Sequence, residues 1–149
     1  MNIKQQLYKK CEVFIANRLQ TVKSTINEIQ ESLTTETKSS AGDKHETGRA
    51  MLQLEREKVG NQLSEIQKTQ EALTKIDITR TSNAVSLGSL VNTSKLNYFI
   101  AISAGKLNIE KETFYAISPS TPIGELLMGK TVGDLIRFRN QEFIIEKIG

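Results

Sequence analysis

The chain has 149 residues, 38% apolar and 25% charged, enough for one ordinary domain or for a small domain with an extended element. Twenty basic residues against 17 acidic ones leave a net charge of +3, with 12 basic and 11 acidic in residues 1–77 and 8 and 6 in the remainder, so neither part is a basic nucleic-acid module. No stretch approaches the roughly 20 apolar residues of a membrane span, and residues 1–15, broken by Lys4, Lys9, Lys10 and Glu12, do not read as a secretory signal.

Residues 2–36 contain neither Gly nor Pro. Ile15, Leu19, Val22, Ile26, Ile29 and Leu33 recur by alternating steps of four and three, a heptad seam, and Ile3, Leu7 and Cys11 extend it by steps of four. The lone Cys11 admits no intramolecular disulfide and falls in helical period, which predicts a buried thiol in a reducing cytoplasm. Thr34 through Gly42 supplies Thr, Ser and Gly, predicting the end of the helix and a turn. A second helix is predicted from about Asp43 to Lys75, with Leu52, Val59, Leu63, Ile66, Gln70 and Leu73 as its seam. A short turn makes the two helices antiparallel, a coiled-coil hairpin about 50 Å long at 1.5 Å per residue. That pairing sets Leu33 against Met51, Ile26 against Val59, Leu19 against Leu63 and Leu7 against Leu73. Gly60, inside the second helix, costs ~1 kcal/mol relative to Ala. The tip, near residues 40–47, carries Gly42-Asp43-Lys44-His45-Glu46 and so places two carboxylates far from the rest of the chain.

After Asp77 the pattern changes: six of the eight aromatics lie beyond residue 95 and both prolines beyond residue 118, so the helical period gives way to strands. Val85-Ser86-Leu87, Asn97–Ile102, Thr113–Ile117, Leu135–Phe138 and Glu142–Ile148 read as short strands by alternation and β-branched content. Thr121–Met128 reads as one short helix, with Thr121 as N-cap, Pro122 at the first helical position and Gly129 past the end. Tyr98, Phe99, Phe114, Tyr115, Phe138 and Phe143 are core candidates. The class is α+β, a helical hairpin over residues 1–77 followed by a small, mostly antiparallel sheet with one helix over 78–149.

The segment Ile117-Ser118-Pro119-Ser120-Thr121-Pro122-Ile123-Gly124-Glu125-Leu126-Leu127-Met128-Gly129-Lys130, followed by Val132-Gly133-Asp134, resembles the Gre transcript-cleavage factors of bacterial RNA polymerase (GreA and GreB). That family carries a Ser-Pro-Ile element, a short helix ending Leu-x-Gly-Lys, then Val-Gly-Asp and a final strand. Val85-x-x-Gly88-Ser89-x-Val91 resembles the family's first strand of the sheet domain. At the tip the family has Gly-Asp-Leu-x-Glu-Asn; here Gly42-Asp43-Lys44-His45-Glu46-Thr47 puts Asp43 and Glu46 on the two acidic positions. Lys44 replaces the family's leucine, Glu46-Thr47-Gly48-Arg49-Ala50 replaces Glu-Asn-Ala-Glu-Tyr, and the hairpin through Arg139-Asn140-Gln141 is shorter, as in a divergent member.

The resemblance implies an FKBP-like sheet domain and a factor that enters the polymerase secondary channel. There it stimulates cleavage of backtracked RNA, as an accessory to the polymerase rather than an enzyme itself. Asp43 and Glu46 would be the catalytic pair, holding Mg²⁺ jointly with the polymerase and binding none alone; Asp43 would be the ligand, and Glu46 would orient the attacking water. Thr121, Pro122 and Ile123 match the loop by which the family docks on the polymerase, and Lys38, Lys44 and Arg49 are candidates for contact with the 3′ end of nascent RNA. The residues alone leave other readings open. Asp43-x-x-Glu46 is also a capping box, Pro122 starts helices in any fold, and His45 could ligate a metal, respond to pH or simply occupy the turn. The competing functions are a polymerase-binding regulator of the same shape without cleavage, a prolyl isomerase or chaperone, and a structural coiled-coil interaction protein. The expected state is a monomer in the cytoplasm, away from membranes.

Overall fold

The structure, a computed structural model, describes residues 2–38 and 43–149, with side chains over 2–35 and 47–149. The elements are α1 (Ile3–Lys38), α2 (Asp43–Thr74), β1 (Leu90–Thr93), β2 (Asn97–Ile100), β3 (Gly105–Ile109), β4 (Glu112–Ile117), α3 (Pro122–Leu127), β5 (Leu135–Phe138) and β6 (Gln141–Ile148). They fall into two compact units. One joins the chain up to Phe14 with Glu71–Gly149; the other is Ile15–Gln70.

In the unit Ile15–Gln70 the heptad seam is the buried face. Ile15 and Ile29 are buried on α1, with Leu19, Val22, Ile26 and Leu33 half-buried between and beyond them, while Val59 and Ile66 are buried on α2. The helices run antiparallel. Ile15 and Arg18 of α1 face Asn61, Gln62 and Ile66 of α2, whereas earlier on α1 the Tyr8 hydroxyl donates to the Leu73 carbonyl at 3.0 Å.

Three details depart from the periodicity. Gln70 is exposed and Thr69 takes the half-buried place, because a strict 3.5 repeat drifts on a helix of 3.6 residues per turn. Met51 is 66% exposed, so it contributes little to the buried face. The gap between Leu52 and Val59 is filled by half-buried Arg56, whose guanidinium lies over Gly60; an added Cβ there would stand 3.1 Å from Nη1. The glycine gives an arginine stem room to cover apolar surface.

The predicted end of α1 near Thr34 is also corrected. The helix continues to Lys38, because the Thr34 and Thr35 hydroxyls donate back to the Gln30 and Glu31 carbonyls at 3.0 and 3.1 Å instead of capping a turn.

In the other unit Leu7, Cys11, Leu73 and Ile76 are buried, but Ile3 is exposed and Lys4 is buried in its place. Lys4 Nζ donates to the Arg80 carbonyl at 3.0 Å, tying the first turn of α1 to the chain leaving α2.

The sheet has six strands in the order β3-β4-β2-β1-β6-β5, antiparallel except where β2 runs parallel to β4. Tyr98, Phe99 and Ile100 are all buried although successive side chains point to opposite faces, so both faces of β2 are covered. One face carries Val91, Tyr98, Ile100, Ile136, Phe143 and Ile145, packed with Val85 and Leu127 of α3. The register places Phe99 beside Ala116, and with it Phe114, on the other face.

The predicted strands Thr113–Ile117, Leu135–Phe138 and Glu142–Ile148 are present within a residue of their bounds, and Asn97–Ile102 is present two residues shorter as β2. Val85-Ser86-Leu87 is not a strand. Val85 exchanges backbone bonds with Lys130 and Gly129 at 2.8 Å each, and the chain then turns through Gly88 at φ 91°. Arg139 and Asn140, at φ 49° and 64°, form the two-residue β5–β6 turn whose twist matches the strands.

Candidate functional site

Asp43 opens α2, Lys44, His45 and Glu46 follow in its first turn, and Lys38 closes α1. The side chains of Lys38, Asp43, Lys44, His45 and Glu46 lie outside the described residues, so the metal and catalytic assignments carry no geometry. Arg49 is exposed and engaged with a partner. Among the described residues no group of three His, Cys, Asp or Glu side chains could hold a metal ion, and no helix is long and apolar enough to cross a membrane.

The motif Ile117–Lys130 is fully described, and it is a built turn. Pro119 and Pro122 favour extended backbone at Ser118 and Thr121, the residues before them, and forbid helix until Pro122 itself. Thr121, at φ −73° and ψ 158°, is the N-cap of α3; its Oγ1 accepts from the Gly124 N–H at 3.2 Å and donates to the Ser118 carbonyl at 2.8 Å. Ser118 and Ser120 share a hydroxyl bond of 2.8 Å, and the Ser118 N–H donates to Ser103 Oγ at 3.3 Å.

Gly124 is buried where the loop crosses back: a Cβ there would lie 2.2 Å from the Ser118 oxygen. Pro122 is thereby left exposed, while Ile123 is half-buried against the core beneath. The three predicted docking residues thus stand on one corner braced by the Thr121 and Ser118 hydrogen bonds. Sequence reasoning missed Ser118 and Gly124 as the residues that shape it; the signal was present in two prolines three apart with a glycine two residues after the second.

The corner is continued by the segment after α3. The Thr131 N–H donates to Asp134 Oδ2 at 2.7 Å and its hydroxyl at 3.2 Å, and these bonds, the backbone one foremost, hold the Asp134 carboxyl below the usual aspartate value. Gly133 donates to the Ile145 carbonyl at 2.8 Å and Ile145 to the Asp134 carbonyl at 3.1 Å, so Val132-Gly133-Asp134 is tied to β6. The corner leaves Ser120 and Pro122 exposed beside half-buried Thr121 and Ile123. It holds no nucleophile paired with a base and no convergent set of titratable groups.

No protein-family model matches the chain, and no curated protein does. Among solved structures it is similar to GreA factor homolog 1 (Gfh1) of Thermus thermophilus, at 18% identity and a TM-score of 0.35, covering 95% of this chain and 94% of that one. A second structure, of the transcription factor Gfh1, aligns at 19% identity and a TM-score of 0.36 over 95% of this chain and 92% of that one.

Proposed function

We propose that this chain is a transcription elongation factor that binds bacterial RNA polymerase through the Thr121-Pro122-Ile123 corner and stimulates cleavage of backtracked RNA through Asp43 and Glu46. The observation that carries the reading is the motif Ile117–Lys130, folded as a capped and cross-braced corner downstream of a long antiparallel helical pair. Both halves of the family's working arrangement are therefore encoded in one chain and in the same order.

Asp43 and Glu46, three apart in sequence at the start of α2, are carboxylates, hard oxygen donors of the type that suits Mg²⁺. One or two carboxylates suffice when the polymerase provides the remaining ligands. A Mg²⁺ ion held there would supply the activation and orientation of a water for in-line attack on the phosphodiester. In this reading Asp43 would be the metal ligand, Glu46 would position the water, and Lys38, Lys44 and Arg49 would steady the RNA 3′ end through its phosphates. The chain is then an accessory factor of the cytoplasm, and the bond is cut by the polymerase.

Cleavage of a stalled, backtracked elongation complex with polymerase from the same organism tests this, using wild type and Asp43→Asn/Glu46→Gln. Cleavage by wild type that disappears in the double variant, with polymerase binding unchanged, is the expected result. Binding without cleavage in either protein would make the chain a channel-occupying regulator and the acidic pair a helix cap. Absence of binding would overturn the reading.

A further inference from the structure

β3 is an edge of the six-stranded sheet, so alternate backbone N–H and C=O groups of Gly105–Ile109 face outward from β4. Beside that edge lies a cleft of about 450 Å³, lined by Lys9, Lys10, Val13 and Phe14 of α1 and by Lys106 and Leu107 of β3. Positions 9, 10, 13 and 14 lie on neighbouring rows of one helix side: Phe14, seven residues after Leu7, borders the buried row of Leu7 and Cys11, and Lys9 and Val13 stand furthest from it. Val13 is 49% exposed, an apolar side chain left uncovered, while Phe14 and Leu107 are half-buried at its side.

Three ammonium groups gather around this apolar floor. None of them makes an ion pair among the described residues, and no carboxylate lines the cleft. A lysine on an edge strand is a common guard against unwanted pairing, which accounts for Lys106. It does not account for Lys9 and Lys10, which are on a helix, or for Val13, which a guard would make polar.

We propose that this cleft binds an extended acidic peptide segment of a partner protein by strand addition to β3. The segment's main chain pairs with the outward groups of β3, which at about 3.4 Å per residue offers some 17 Å, or roughly five residues. Its side chains on the Leu107 face meet Val13 and Phe14 and are flanked by Lys9 and Lys10. Those on the other face meet Lys106. Charge complementarity selects an acidic segment over a basic one, and the open backbone edge selects a polypeptide over a nucleic acid, which has no ladder to offer. The inference stands apart from the transcription reading, because it uses none of the residues assigned there.

The test is fluorescence anisotropy of the full chain with a labelled octapeptide alternating valine and glutamate. The comparison probes are the same peptide N-methylated at alternate residues, a valine–lysine octapeptide and an oligouridylate of eight nucleotides. The expected result is saturable binding of the acidic peptide alone, weakened at least ~10-fold by N-methylation and by Lys9→Glu/Lys10→Glu or Lys106→Glu. Amide shifts at residues 106–108 in NMR spectra accompany it. All three lysines are exposed, so the variants keep the wild-type melting curve, which is checked alongside. No saturable binding would overturn the proposal and leave the lysines as edge guards. So would binding indifferent to N-methylation, which is charge attraction without a ladder, or tighter binding of the oligouridylate through the same lysines.

Discussion

The shape of the Thr121 corner hangs on the absence of one methyl group. In Gly124→Ala the new Cβ would sit 2.2 Å from the Ser118 carbonyl oxygen, 2.9 Å from Thr121 Oγ1 and 3.1 Å from the Pro119 carbonyl carbon. Two of the three are backbone atoms, so no side-chain rotation relieves the overlap, and the loop must retreat by roughly 0.8 Å before its carbonyl reaches even 3.0 Å. Such a movement breaks both bonds that Thr121 Oγ1 makes, to Ser118 and from Gly124, each worth about 1 kcal/mol. With an overpacking cost of about 1–3 kcal/mol, and less than 1 kcal/mol returned by the better helix propensity of alanine, the net loss is about 2–4 kcal/mol. For a chain of this size that lowers the melting temperature by roughly 5–15 °C. Differential scanning calorimetry of wild type and Gly124→Ala measures it, with Thr121→Ala, which removes the cap alone and should cost about 1 kcal/mol, as the calibrating variant. A Gly124→Ala melt within 1 °C of wild type would refute the reasoning.

At Gly60 the same substitution has the opposite sign. The Cβ meets only Nη1 of Arg56, the far end of a flexible side chain, so Gly60→Ala should stabilise the helical pair by about 0.5–1 kcal/mol, read as a higher midpoint in urea. Burial pushes the Cys11 thiol up to about 12, so at pH 8 it should react with a disulfide reagent only after denaturation; rapid titration of the native protein would contradict its burial. Asp77, held low first by the Thr79 hydroxyl and then by the Thr79 N–H, and Asp134, held low first by the Thr131 N–H, both have folded values below the usual 3.8. Their contribution to stability is fully present above that value and is lost as pH falls through the folded values. Asp134→Asn should therefore flatten the fall in stability below pH 4 in acid titrations, and Thr131→Val, which keeps the N–H and loses only the hydroxyl bond, should flatten it less; a fall of unchanged steepness in Asp134→Asn would sink the assignment.

The legible parts of the sequence were those where a single period or a local cap decides the outcome. The seam from Leu7 to Leu33 is the buried stripe because nothing competes with the helical period there, and α3 begins at Pro122 because Thr121 carries its own capping hydroxyl. β3 escaped notice, and β1 was touched only at Leu90-Val91, through the family's first strand: Leu-Val-Asn-Thr and Gly-Lys-Leu-Asn-Ile are short and polar at alternate places, and pairing with β6 and β4 fixes them. Val85 misled in the other direction, since its β-branched side chain is buried but its backbone bonds go to the loop after α3. Lys4 displaced Ile3 from the core for a reason no periodicity contains, the carbonyl of Arg80 waiting 76 residues away. Of the candidate site, the corner at Thr121 was readable because its prolines dictate backbone. Asp43 and Glu46 were nameable only from the family pattern, since a carboxylate pair three apart at a helix start also describes an ordinary cap.

The sheet order also has a consequence for biosynthesis. β1 is flanked by β2, made directly after it, and by β6, which pairs Val91 with Ile148. A ribosome adding about 5–20 residues per second needs roughly 3–11 s to travel from Thr93 to Ile148. Throughout that interval the half of β1 destined for β6 is an open template on the nascent chain, beside a β2 whose three apolar residues have not yet been covered on both faces. Slow-decoding codons between residues 94 and 140 would lengthen the exposure and lower the soluble yield without changing one amino acid.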